Sequence, residues 1–268
     1  MQQIISSLVI TAILSIPVAG FAQEATNGDS SQNQPSSSTV SLKCVDAIIK
    51  KQADLANRRL EQDSKLAKAR SETDIKTTSR RADQDTKKTE LRAKQETKIQ
   101  EIRKNRDEKG YKSNDAKAVI DTYRATIDAS LAKHRAAVDA TMASFQSAKD
   151  TALATRRSAI DQTIATRRSA VDSAISALND ACATGDKTKK EEAIKAFKEA
   201  VATAQQAFKE SVKSAQDAYR KAIEEARLSA KTSLEDSRKT LKSEAAEAEK
   251  VKKEALKNLR TSSTSVQQ

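Results

Sequence analysis

The sequence predicts an all-α protein of long antiparallel helices with eleven-residue (hendecad) repeats, arranged as a helical hairpin or an elongated three-helix coiled-coil bundle. Three observations carry this. Residues stacked in elevens fall into fixed columns of like chemistry. Aromatic residues, which strands favour, are scarce at 3% with no Trp, while charged residues make up 32%, a composition of helix and coiled coil rather than of sheets. Finally, two short glycine-containing breaks cut the chain into helical segments of similar length.

The first element is a signal peptide over 1–22. Ile4 to Ile16 form an apolar run broken by Pro17, and Gly20 and Ala22 supply the small residues expected before a peptidase cut, so cleavage falls after Ala22. No Lys or Arg precedes the run. The run is too short for a stable bilayer span, and Cys44, after Ser41-Leu42-Lys43, is not in a lipoprotein cleavage context. Residues 23–43 are rich in Ser, Asn and Gln, with nothing to bury, and read as a disordered spacer. The chain is thus expected to be exported, to periplasm, cell surface or exterior.

The elongated helical region follows over 44–260. From Ala56 the chain reads ANRRLEQDSKL, AKARSETDIKT, TSRRADQDTKK, TELRAKQETKI and QEIRKNRDEKG. One column is Arg59, Arg70, Arg81, Arg92 and Arg103; four places on stand Asp63, Asp74, Asp85, Glu96 and Asp107. A third column is Lys65, Lys76, Lys87, Lys98 and Lys109. This first helix, 45–109, has just two large apolar residues between 68 and 98, Ile75 and Leu91. It is expected to pack loosely on the others or to project into solvent.

A second helix, 114–182, repeats the pattern with a richer apolar face. Its columns are Arg124, Arg135, Arg157 and Arg168, interrupted by Gln146, and then Asp128, Asp139, Asp150, Asp161 and Asp172. Leu131, Met142, Leu153, Ile164 and Ile175 fill an apolar column. A third helix, 189–259, carries Phe197, Val201, Phe208, Val212, Tyr219 and Ile223 at repeat spacing; a disordered tail is expected over 261–268. Gly110 and Gly185 terminate helices, with Ser113 or Asn114, and Asp186 or Thr188, as the next caps.

Eleven residues in three turns keep a stripe on one face of a nearly straight helix. Each segment would be roughly 100 Å long. Within one helix an Arg-x-x-x-Asp pair contributes about 0.2–0.5 kcal/mol, and the columns read as a solvated, helix-stabilising surface. Short connections favour antiparallel neighbours, which puts Cys44 and Cys182 at the same end. A disulfide between them is expected in an exported protein. It would enclose 137 residues, a constraint worth on the order of 4–5 kcal/mol in the chain-entropy model; free thiols or bridges between chains are the alternatives.

No catalytic, cofactor or metal site is expected. The single histidine, His134, shares a column with Tyr123 and Phe145 and reads as a packing residue. No paired Cys or His spacing suits a metal, no glycine-rich phosphate loop occurs, and no base is placed to activate a nucleophile. The net charge of +12 is spread along the chain among acids, unlike a nucleic-acid patch with stacking aromatics. It suits weak attraction to an anionic membrane or polymer.

Over about 190–260 the eleven-residue lines AFKEAVATAQQ, AFKESVKSAQD and AYRKAIEEARL resemble those of late-embryogenesis-abundant proteins, apolipoproteins and synucleins in period and in Ala, Lys and Glu content. That resemblance implies a helix that folds on a membrane or on drying. Matched helix lengths and paired cysteines depart from it and suit a preformed bundle. The expected role is a non-enzymatic structural or interaction protein of the cell envelope, a coiled-coil rod or spacer whose partner is protein, by self-association or through an envelope component. The competing roles are a peripheral binder of anionic membrane or polymer and a chaperone-like, stress-protective helical protein.

Overall fold

A computed structural model describes residues 37–265, with side chains from 42 to 261. The signal peptide over 1–22, its cleavage site after Ala22, the spacer to residue 36 and the last three residues lie outside the described residues. Helix accounts for 96% of what is described, without a strand among the described residues. Three helices follow in order: α1, Ser37–Asp107; α2, Asn114–Ala183; and α3, Lys187–Ser265.

The breaks are local chemistry. Gly110 and Gly185 take the left-handed conformation, with φ of 72° and 70°, which costs other residues steric strain. Ser113 Oγ accepts the Ala116 N–H at 3.1 Å, capping α2. Asp186 Oδ1 accepts the N–H groups of Thr188 and Lys189 at 2.9 and 3.2 Å, capping α3. Such caps are worth about 1 kcal/mol each. At the other ends the helices run past the predicted limits. α1 starts at Ser37 rather than near 45, inside the predicted spacer, and α3 continues to Ser265. Once Cys44 and Ile48 are docked, each upstream residue adds a hydrogen bond without a new nucleation step, and a Ser/Thr run does not forbid it.

The chain divides into two compact units, each built from all three helices. The first comprises the described residues up to Gln84 together with Arg157–Gln216. Its core joins Cys44, Ile48 and Leu55 of α1 to Val171, Ile175, Leu178 and Cys182 of α2 and Ile194, Phe197 and Val201 of α3. A second cluster packs Ile160 and Ile164 on Phe208 and Val212, with Leu66 against it. Fully burying one such side chain stabilises by about 1.5–3 kcal/mol, so this unit rests on ordinary apolar packing.

The second unit comprises Asp85–Arg156 and Asp217 onward. Ile120, Ala152 and Ala248 are buried, and so is Ser130. The predicted apolar columns continue through it, but Leu131, Met142, Ile223, Leu234 and Leu241 are half-buried. Small side chains let backbones approach closely, at the expense of apolar area. What holds α1 here must be something else.

Candidate functional site

That something is a ladder of arginine–carboxylate bonds between α1 and α2. In the first unit, the Arg59 guanidinium donates to both Asp172 oxygens at 3.0 and 2.8 Å, and Arg70 does the same to Asp161 at 3.0 and 2.7 Å. Bonds also run the opposite way. Arg168 donates to Asp63 at 3.0 and 2.6 Å, and Arg157 to Asp74 at 3.0 and 2.7 Å.

The second unit repeats the scheme. Arg92 bonds both oxygens of Asp139, at 2.9 and 3.0 Å. Arg103 holds Asp128 at 3.0 and 2.6 Å. Arg124 holds Asp107 at 3.2 and 2.8 Å, and Tyr111 also bonds that carboxylate. Arg135 reaches Glu96 with one nitrogen, at 3.7 Å; its Nε and Nη2 are buried without partners, so this is the loosest rung.

The geometry follows from the repeat. Each step of eleven forward on α1 matches a step of eleven backward on α2. Because Arg precedes its acid by four residues on both helices, antiparallel pairing sets each Arg against an acid and each acid against an Arg. Fork-to-fork bonds of this kind are directional as well as attractive. The solvated-surface reading of these columns is therefore corrected. The arginines are 17–29% exposed and bonded to the neighbouring helix. The complementarity exists only between the two blocks in antiparallel register, not within either one. Within the second unit Gln146 interrupts the scheme. By register Gln146 stands opposite Asp85, which instead takes Lys88 at 3.1 Å, and the same amine reaches Asp139 at 3.4 Å.

The bonds leave an electrostatic signature. The carboxyls of Asp63 and Asp74 titrate below the usual range, chiefly because Arg168 and Arg157 donate hydrogen bonds to them. Asp139 and Asp107 are lowered in the same way by Arg92 and Arg124.

α2 meets α3 through a neighbouring column. Arg167 lies over the Phe208 ring, 5.1 Å from its centroid, Arg156 over Tyr219 at 5.4 Å, and Lys252 over Tyr123 at 4.1 Å. Each is a cation–π contact. The Arg167-Arg168 doublet thus divides its labour, one guanidinium to α3 and the next to α1. Burial of Arg167 pushes its pKa down, with Arg168 and Arg59 adding repulsion. His134 Nδ1 lies 2.8 Å from Ser237 Oγ, a contact between helices. Cys44 and Cys182 lie at disulfide distance, with Cα atoms 5.8 Å apart, inside the range natural disulfides occupy.

Among the described residues no cluster of His, Cys, Asp or Glu is placed to hold a metal ion, and no described helix is long and apolar enough to cross a membrane. A shallow cleft lined by Gln100, Arg103, Asp107 and Arg124 contains rung residues already bonded to one another or to Asp128. No protein-family model, curated protein or solved structure matches this chain.

Proposed function

We propose that this is an exported, non-enzymatic protein of the cell envelope whose work is architectural: it presents preformed, register-locked helices as a spacer or as a docking element for other proteins. One observation carries the reading. The Arg and acid columns that recur on both α1 and α2 bond between these helices at eight positions. A repeat spent on fixing helix register serves shape and spacing rather than turnover. The exposed lysine column of α1 and the exposed basic positions of α3 keep the surface charged and soluble.

The test is circular dichroism of the protein in buffer, with and without anionic vesicles. A preformed architecture shows strong helicity that melts cooperatively without lipid. Helix that forms only on adding vesicles would overturn the reading. Sedimentation with and without reductant then reports self-association and bridges between chains.

A further inference from the structure

The outward face of α1 changes character within the second unit. In the first unit, the column holding Glu61, Glu72 and Asp83 lies on the solvent side, and Glu61 pairs with Lys65 along the helix. The column beside it holds Arg58, Ala69 and Arg80. In the second unit the same two columns become Lys94 and Asn105, and Leu91 and Ile102. Acids give way to lysine and asparagine; arginine and alanine give way to large aliphatics.

The result is one exposed helical face. Lys87, Leu91, Lys94, Lys98 and Ile102 are spaced by four, three, four and four residues, the spacing that places side chains side by side on a helix. Leu91 and Ile102 are each 61% exposed, and the three lysines are exposed too. No acid lies among them; Glu90 and Glu101 border one edge. These two large aliphatics stand in water beside three lysines and belong to neither buried cluster; the bonds from α1 to α2 in this unit are made by Arg92, Arg103 and Asp107 on the other side.

We propose that this face of α1 rests on the surface of an anionic lipid bilayer. The occupant follows from chemistry. A second copy of the same face would oppose lysine to lysine, so the partner is negative. A purely anionic polymer would use the lysines and leave Leu91 and Ile102 exposed, whereas a bilayer offers both phosphate at the headgroup level and hydrocarbon just beneath it. Lysine side chains snorkel to such headgroups while neighbouring aliphatics enter the interface. With just two aliphatics the contact is reversible and depends on anionic lipid. It adds a lipid contact to the architectural role above and stands on a different observation.

The experiment is co-sedimentation of the protein with phosphatidylglycerol-containing vesicles and with pure phosphatidylcholine vesicles. Four proteins are compared: parent, Leu91→Ser/Ile102→Ser, Lys87→Gln/Lys94→Gln/Lys98→Gln, and a Lys65→Gln/Lys76→Gln control on the first unit. All the changes are at exposed positions, and helicity in buffer checks the fold of each. The parent and the control bind the anionic vesicles. Losing three lysines weakens binding about a hundredfold, at roughly fivefold per lysine, and losing both aliphatics weakens it about tenfold. Equal binding to phosphatidylcholine overturns the proposal. So does parent-like binding by the lysine variant, which would assign the affinity to residues elsewhere, residues 1–36 included. Parent-like binding by the Leu91→Ser/Ile102→Ser variant overturns it as well, leaving a face that senses anions alone. None of these outcomes bears on helicity in buffer, which decides the architectural reading separately.

Discussion

Arg168 of α2 and Asp63 of α1 face each other fork to fork, with nitrogen–oxygen distances of 3.0 and 2.6 Å. Their sequence neighbours Arg59 and Asp172 form the reciprocal bond, at 3.0 and 2.8 Å. This crossed pair is the repeating unit of the α1–α2 contact, and it makes the two helices interdependent in a way neither is alone.

The gap at Gln146 offers a gain of stability. Gln146→Arg puts a guanidinium opposite Asp85 and frees Lys88 from sharing itself between Asp85 and Asp139. The variant is expected to be more stable by a few tenths of a kcal/mol up to about 1, measured as a raised urea midpoint at unchanged slope. The gain shrinks at high salt, because partly exposed pairs are screened. An unchanged midpoint at low salt would mean that the register does not pass through residue 146 as described.

Acid weakens the ladder in a direction fixed by the carboxyl shifts. Asp63, Asp74, Asp107 and Asp139 bind protons less readily when folded than the ordinary value of 3.8. Their contribution is fully present above that value and is lost as the pH falls through the lower, folded values. Thermal melts should be flat through neutral pH and drop below about pH 4. Asp63→Asn should reduce that drop while lowering stability at neutral pH.

The cysteine pair is expected to close as an intramolecular disulfide. Under denaturing, non-reducing conditions the oxidised protein then has no titratable thiol and runs as a monomer that slows on reduction. Cys44→Ser/Cys182→Ser loses up to about 4–5 kcal/mol by the loop-entropy argument. Two thiols titrating in the oxidised, unfolded protein would refute the bond.

The helices were legible because their signals are local. Gly110 and Gly185 mark the breaks, and capping by Ser113 and Asp186 was among the alternatives the residues offered. The apolar column of α2 turns inward as periodicity requires, fully so at Ile164 and Ile175. The ladder was not legible from either block by itself. Arg59 and Asp63 satisfy the helix-surface rule perfectly well as near neighbours, and only the antiparallel register shows that each has a better partner on α2. Ile75 and Leu91, the large apolar residues of α1 between 68 and 98, are 66% and 61% exposed. Polar rungs, rather than these residues, attach that stretch. The split of Arg167 and Arg168 between two neighbours was hidden for the same reason, since a doublet says nothing about which helix lies on which side.

The Arg and acid columns of α1 and α2 bond chiefly between the helices rather than along them. A charge-reversal cycle at Arg70 and Asp161 tests it most directly. Arg70→Asp and Asp161→Arg are made singly and together, and urea unfolding is measured at low salt. Each single reversal places like charges across the contact and lowers stability by about 1 kcal/mol. The double variant, with the pair rebuilt in the opposite sense, is expected to recover most of that loss. A double variant destabilised by the full sum of the two singles would show no coupling across α1 and α2 and would contradict the ladder.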